Sequence, residues 1–320
     1  MEKILITGLS GFVAKHFLDY LENSHIRIQV LGLDIQPISI VSDFKYIDFS
    51  YACVDLLQEE DIERILFQFQ PEYILHLASY SSVAFSWKNP ILSFQNNVNI
   101  FLNLLEVIRK YSLGTRILSI GSSEEYGNIN TSDIPLKETS RLDPLSPYAV
   151  ARVSQEMLSR LYANSYNQDI VMTRSFNHIG PGQSDVFVVS SFVRRALEAK
   201  LAGEQNIKLT VGNIDIIRDF LDVRDVVEAY YKLLHYGKKG EVYNVCSGRA
   251  VCLSEVLAII ADLLEVQITP IVDKNFIRPN DNMLIVGDSS KLREDTDWYP
   301  KYSLKESIND IIQYWKSKID

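Results

Sequence analysis

The segment Thr7-Gly8-Leu9-Ser10-Gly11-Phe12-Val13-Ala14 constrains this chain more than any other. It follows a short β-branched run, Lys3 to Thr7, and opens a stretch of helical periodicity from Phe12 to Glu22. A glycine turn placed between strand and helix serves close approach of the backbone to an anion. Gly8 permits the tight turn, Gly11 admits a pyrophosphate against the main chain, and Ala14 is small enough for helix and strand to pack closely. Ser10, Phe12 and Val13 complete the turn that would cradle the phosphates. With 14 Gly in 320 residues, below the usual ~7%, the cluster is not a by-product of a glycine-rich composition.

The pattern around this turn repeats. Strands are expected at 28–33, 51–54, 73–78, 116–121 and 170–175, with helices at 59–69, 91–111 and 148–165 between them, the alternation of βαβ units and a parallel sheet. The fold class expected is α/β, a doubly wound Rossmann parallel sheet with a smaller C-terminal α/β substrate domain. Residues 1–175 would form the dinucleotide-binding domain. Residues 176–320 would mainly form a second, nucleotide-sugar-binding region, with some segments returning to the Rossmann sheet. In that second region strands are expected at 207–211, 241–245 and 267–271, and helices at 189–202, 223–236, 253–264 and 304–315.

Asp34 ends the second strand, 20 positions after Ala14 (34 − 14). A carboxylate there holds ribose hydroxyls and repels a 2′-phosphate, which predicts NAD(H) as cofactor. Asp55 and Leu56 follow the third strand and Leu77 and Ala78 the fourth; all four are expected along the cofactor. Asp55 has a second reading as the capping residue of the next helix. His76 is expected as a packed strand-end residue.

Two segments carry the chemistry. Ile120-Gly121-Ser122-Ser123-Glu124-Glu125-Tyr126-Gly127 ends the fifth strand, and Tyr148-Ala149-Val150-Ala151-Arg152 opens the next helix. The i, i+4 spacing puts Tyr148 and Arg152 on one helix face. Redox chemistry at a carbinol needs a group that exchanges the oxygen-bound proton. A phenol with an ordinary pKa near ~10 serves near neutrality only where a cation stabilises its anion. Arg152 supplies that cation, and the Ser122 hydroxyl can hold the same oxygen.

Here the sequence resembles the extended short-chain dehydrogenase/reductase family, marked by T-G-x-x-G-x-x-G and Y-x-x-x-K, over essentially its whole length. It is most similar to the GDP-4-keto-6-deoxy-mannose reductases through Gly121 to Gly127, Ser146-Pro147-Tyr148, Arg174 to Gln183 and Arg278-Pro279-Asn280-Asp281. The resemblance implies that Tyr148 is the acid/base and that Ser122 orients the substrate oxygen. Glu124 occupies the place where related 4,6-dehydratases carry the glutamate that removes the sugar C5 proton; the reductases carry it too, so a substrate role and a loop-closing role both stand. Ala14 replaces the last motif glycine. Arg152 replaces the family lysine, and a planar guanidinium is not equivalent to a compact ammonium.

Formal charge −9 argues against nucleic acid as a partner, so an anionic sugar nucleotide must meet locally placed cations. Arg218 and Arg278 stand where the family clamps phosphates, Asn177 resembles its strand-end substrate contact, and Ser81 follows the fourth strand. Lys291, Arg194 and Arg195 are further candidates. No spacing for a metal site and no 18-residue apolar span is seen, and three scattered Cys fit a reducing cytoplasm. The expected protein is an NAD(H)-dependent C4 oxidoreductase on a GDP-linked mannose-type hexose or heptose, in the reducing or the oxidising direction. A 4,6-dehydratase or epimerase that retains NAD, and a non-catalytic GDP-sugar-binding protein, are the alternatives. The family also implies glycan precursor synthesis and a homodimer built on the segments 91–111 and 148–165.

Overall fold

The computed structural model describes residues 1–37, 43–276 and 282–319. The first half runs β1 (Glu2–Thr7), α1 (Phe12–Asn23), β2 (Ile28–Asp34), β3 (Ile47–Cys53), α2 (Glu59–Phe69), β4 (Tyr73–His76), α3 (Val83–Lys88), α4 (Pro90–Phe94), α5 (Ile100–Lys110), β5 (Arg116–Ser122), α6 (Pro147–Ser165) and β6 (Asp169–Ser175). The second half adds β7 (Asn177–Ile179), α7 (Val188–Leu201), β8 (Asn206–Val211), β9 (Ile217–Arg218), β10 (Phe220–Asp222), α8 (Val223–Tyr236) and β11 (Val242–Val245). It ends with β12 (Val251–Cys252), α9 (Leu253–Leu264), β13 (Gln267–Val272), β14 (Leu284–Ile285), α10 (Ser290–Thr296) and α11 (Leu304–Ile319).

Seven strands form one parallel sheet in the order β11-β6-β5-β4-β1-β2-β3. The chain therefore winds outward from β1 on one side and from β4 on the other, which opens a crevice at the carboxyl ends of these two strands. Alternation within β1 shows why both faces are covered. Ile4 and Ile6 join α1 and α8 in one core, whereas Leu5 joins α2, α5 and α6 in the other. A third core forms among α7, α9, α11 and β8 in the second half. β11 and α8, although late in sequence, complete the large sheet and its α1 face.

The periodicity locates most elements within one or two residues. β3 is the main exception: it begins at Ile47 rather than Tyr51, because pairing with β2 runs from Ile28↔Ile47 onward. The long segment expected from 91 to 111 is not one α-helix. Residues Gln95–Asn99 wind as a π-helix between α4 and α5, a departure that occurs often at functional sites. Among the described residues no helix is long and apolar enough to cross a membrane.

Candidate active site

The carboxyl ends of the central strands bring together Thr7, Asp34, His76, Ser122 and Ser175. The glycine turn is fitted closely to its neighbours. Gly8 has φ +73°, and a Cβ there would lie 2.7 Å from the backbone nitrogen of Ala78, so only glycine lets β1 turn against the chain leaving β4. Thr7 Oγ1 accepts from the Ala78 N–H at 3.2 Å and lies 3.0 Å from His76 Nδ1. Leu77 and Ala78 are thereby pinned beside the turn.

Gly11 caps α1 with no side-chain hydrogen bond, and the first turn of this 12-residue helix carries no acid. No acid of its own first turn offsets the partial positive charge of this helix start, which suits an anion. Asp34 stands next to it, Oδ2 accepting from Ser10 N–H at 2.8 Å and Oδ1 from Gln36 N–H at 3.0 Å. A tight glycine cradle, an uncapped helix start and a carboxylate at the end of β2 together fit a dinucleotide. Phe12 stacks on His178 at 6.3 Å, and a Cβ on Gly180 would meet Val223 at 2.5 Å and Phe12 at 3.4 Å, so Phe12 is covered by the segment after β7. Val13 is half-buried behind it. Asp55 closes its own turn, Oδ1 accepting from Leu57 N–H at 2.9 Å. The N-cap of α2 is Gln58, so Asp55 is not the helix cap. Leu56 is buried.

Ser122 closes β5 in a capping box. Its Oγ accepts from Glu124 N–H at 3.2 Å, and its own N–H donates to Glu125 Oε1 at 2.7 Å. The acceptor side of the hydroxyl is used, which leaves the hydroxyl proton available for a substrate oxygen. Glu124 is half-buried beside it. Tyr148 lies one residue inside α6, whose start is fixed by Pro147 and by Ser146 Oγ accepting from Ala149 N–H at 3.1 Å. Arg152, one turn on, donates from Nε to the Tyr148 hydroxyl at 3.2 Å and from Nη1 to the Ile120 carbonyl at 3.0 Å and Gln155 Oε1 at 2.6 Å. Burial, and then the Arg152 charge, push His76 down to about 3. It is therefore neutral and packed on Phe101, as expected for a strand-end residue.

Behind Ser122 lies a charged cluster that sequence reading missed. Arg174 on β6 grips Glu156 of α6 through two bonds of 2.8 Å and stacks on Tyr126. Glu125 sits beside this pair, 0% exposed. Burial first, and then the Glu156 charge, raise its carboxyl well above the usual range. The folded chain therefore holds a proton that the unfolded chain releases from about pH 4.3 upward, so this group's contribution to stability declines as pH rises through that window to the raised folded value. Glu125→Gln keeps an acceptor for Ser122 and removes the titration. Its melting temperature is expected to gain on the native chain between pH 5 and pH 8; an equal difference at both pH values in thermal melts would refute the assignment.

Asn97, also missed, lies in the π-wound segment and holds the chain after β4, accepting from Tyr80 N–H at 2.8 Å and donating to the Tyr80 carbonyl at 3.1 Å. Ser81 follows it, exposed. Asn177 begins β7, paired with Phe220 of β10. Arg218 is buried and donates to the carbonyls of Ile217 and Asn282 at 3.0 and 2.6 Å. Arg278 lies outside the described residues. Lys291 does not join the others: it pairs with Glu241 at 2.6 Å and bonds the Val242 carbonyl, at the amino end of β11 and so at the opposite end of the sheet from the site. Arg194 pairs with Asp185 and Glu198, and Arg195 bonds the Thr210 carbonyl.

Residues 5–311 match the family described as GDP-mannose 4,6 dehydratase. The chain is 33% identical to GDP-6-deoxy-D-mannose reductase of Pseudomonas aeruginosa, over 99% of this chain and 98% of that protein. It is 28% identical to dTDP-glucose 4,6-dehydratase of Salmonella typhimurium, over 98% and 92%. Among solved structures, RMD from Pseudomonas aeruginosa complexed with NADPH superposes with TM-score 0.86 at 32% identity, covering 99% of this chain and 100% of that one. UDP-glucose 4-epimerase of Thermotoga maritima with UDP-glucose gives 0.87 at 28% identity over 99% and 100%. With a match across nearly its full length, the chain belongs to the GDP-mannose 4,6-dehydratase family, within the extended short-chain dehydrogenases/reductases.

Proposed function

We propose that the protein is an NAD(H)-dependent oxidoreductase acting at C4 of a GDP-linked mannose-type hexose or heptose. The observation that carries this reading is the bond from Arg152 Nε to the Tyr148 hydroxyl, next to the strand end that bears Ser122. A bound nicotinamide dinucleotide supplies the two-electron acceptor or donor. In reduction Tyr148 gives its proton to the C4 keto oxygen; in oxidation its phenolate takes the proton of the C4 hydroxyl. Arg152 stabilises the phenolate by charge and hydrogen bond, and the Ser122 hydroxyl donates to the same C4 oxygen. The GDP and mannose-type assignments rest on likeness to the reductase.

The test is incubation of purified protein with NADH and a GDP-4-keto-6-deoxyhexose, and with NAD and GDP-hexoses, following absorbance at the nicotinamide band and the sugar product. Net nicotinamide turnover with change at C4 is expected. Absence of turnover in both directions would sink the proposal. Glu124, adjacent to Ser122, favours one second reading, a 4,6-dehydratase that recycles a retained cofactor. It would convert the sugar with no net nicotinamide change.

NAD(H) is proposed over NADP(H) because the Asp34 carboxylate would repel a 2′-phosphate. Asp34→Asn removes that charge at constant size. The ratio of kcat/KM with NADPH to that with NADH is expected to rise roughly tenfold or more, the effect of deleting about 1.4 kcal/mol of discrimination. An unchanged ratio would show that Asp34 does not select the cofactor.

A homodimer through α4 and α6 is proposed with the same family logic. Ile91 and Phe94 of α4 and Val150, Met157 and Leu161 of α6 are exposed large apolar side chains on these two helices, and such surfaces mark association sites. Sedimentation as a monomer at micromolar concentration would exclude the pairing. Supply of a glycan precursor is the proposed biological context.

A further inference from the structure

Tyr148, Arg152, Gln155 and Ser159 follow one another at intervals of four, three and four residues, so they line one face of α6. All four are buried, Gln155 at 1% exposure. Gln155 Oε1 accepts from Arg152 Nη1 at 2.6 Å, while Gln155 Nε2 donates to Ser119 Oγ at 2.9 Å and the Ile120 carbonyl at 3.3 Å. Ser159 in turn donates to the Gln155 carbonyl at 2.9 Å and lies 3.1 Å from Ser119 Oγ.

Only one orientation of the Gln155 amide fits these partners. The reverse would face its NH2 toward a guanidinium that can only donate, and its oxygen toward a carbonyl that can only accept. A guanidinium also differs from an ammonium here. Its nitrogens lie in a rigid plane, so fixing Nη1 fixes where Nε points. A single ammonium nitrogen could not occupy both places.

We propose that Gln155 is a positioning residue for the Tyr148–Arg152 pair: it clamps the guanidinium through Nη1 so that Nε meets the Tyr148 oxygen. This rests on the function proposed above for that pair. Gln155 is neutral, so the clamp leaves the full positive charge of Arg152 acting on the phenol. His76 from β4, which is neutral, and Tyr230 from α8, which bonds Ser175 at 2.7 Å, both feel the Arg152 charge. Neither offsets the Arg152 charge.

Two variants of the full-length protein test the clamp. Gln155→Glu preserves the acceptor and places a negative charge against Arg152. The pH at which kcat/KM reaches half its plateau is expected to move upward by about one unit or more. Gln155→Met removes the acceptor at similar shape; kcat is expected to fall about tenfold, with KM for the sugar nucleotide within about twofold. A purely structural Gln155 would lower the melting temperature and leave both readouts at native values. Native pH profile and native kcat in folded variants overturn the proposal.

A readout independent of turnover separates this inference from the function itself. In protein labelled with 13C-tyrosine, the Tyr148 resonance is identified by its loss in Tyr148→Phe. It is expected to titrate at higher pH in Gln155→Glu than in the native chain, and an unchanged midpoint overturns the clamp. If the midpoint moves while the native enzyme turns over no GDP-sugar, the clamp stands and the functional reading fails. If Gln155→Glu does not fold, Gln155→Met decides through kcat and KM.

Discussion

Tyr148→Phe is expected to lower kcat by roughly 10²–10⁴-fold, the usual contribution of a positioned acid or base, with little change in cofactor affinity. The phenyl ring keeps the packing of a side chain that is 6% exposed and loses only the oxygen that Arg152 Nε approaches. Neither His76 nor Ser122 at the neighbouring strand ends is placed to substitute as the base. His76 is held neutral and faces Thr7, and Ser122 already accepts from Glu124 N–H. The measurement is steady-state turnover beside a direct cofactor titration. A variant retaining more than a tenth of native kcat would move the proton exchange to another group.

The second large effect is on stability. Arg174→Met is expected to cost about 3–5 kcal/mol in chemical denaturation, because it strands the buried Glu156 carboxylate without its main partner. Arg160 still reaches Glu156, at 3.0 Å, but its side chain is 39% exposed and cannot replace a bidentate buried contact. Arg174 also donates to the Glu138 carbonyl and covers the Tyr126 ring, so several segments loosen together. The double variant Arg174→Met, Glu156→Leu removes both charges and is expected to be more stable than Arg174→Met alone. If the double loss instead equals the sum of the single losses, the two side chains act independently and the pairing carries no energy.

This cluster also explains why α6 is a firm support for chemistry. Glu156 is four residues beyond Arg152 on the same helix, and its attachment to β6 fixes the helix that carries Tyr148. The serine-capped start fixes the other end.

What could be read from sequence was local. The turn from Thr7 to Ala14, the acid ending β2 and the Tyr148–Arg152 spacing each declare themselves within one or two elements, and all three stand at the crevice. The partners that hold them are distant in sequence: Thr7 with His76, Ser119 with Ser159, Arg174 with Glu156. No periodicity encodes such pairs, because they arise from strand order. Gln155 was within reach, being seven residues after Tyr148 on the same helical face. Lys291 shows the reverse: its charge alone makes it a further candidate for an anion in sequence, and the parallel pairing of β11 with β6 carries it to the far end of the sheet.

The five residues of π winding at Gln95–Asn99 have a consequence for how this protein tolerates change in length. A π turn accommodates one more residue than an α turn, and each residue of a helix advances about 100° around its axis. Deleting a single amino acid there would let the coil close into ordinary winding and swing Asn97 off the Tyr80 main chain. The damage would register in the segment after β4 that Asn97 holds, although no residue of that segment had been altered.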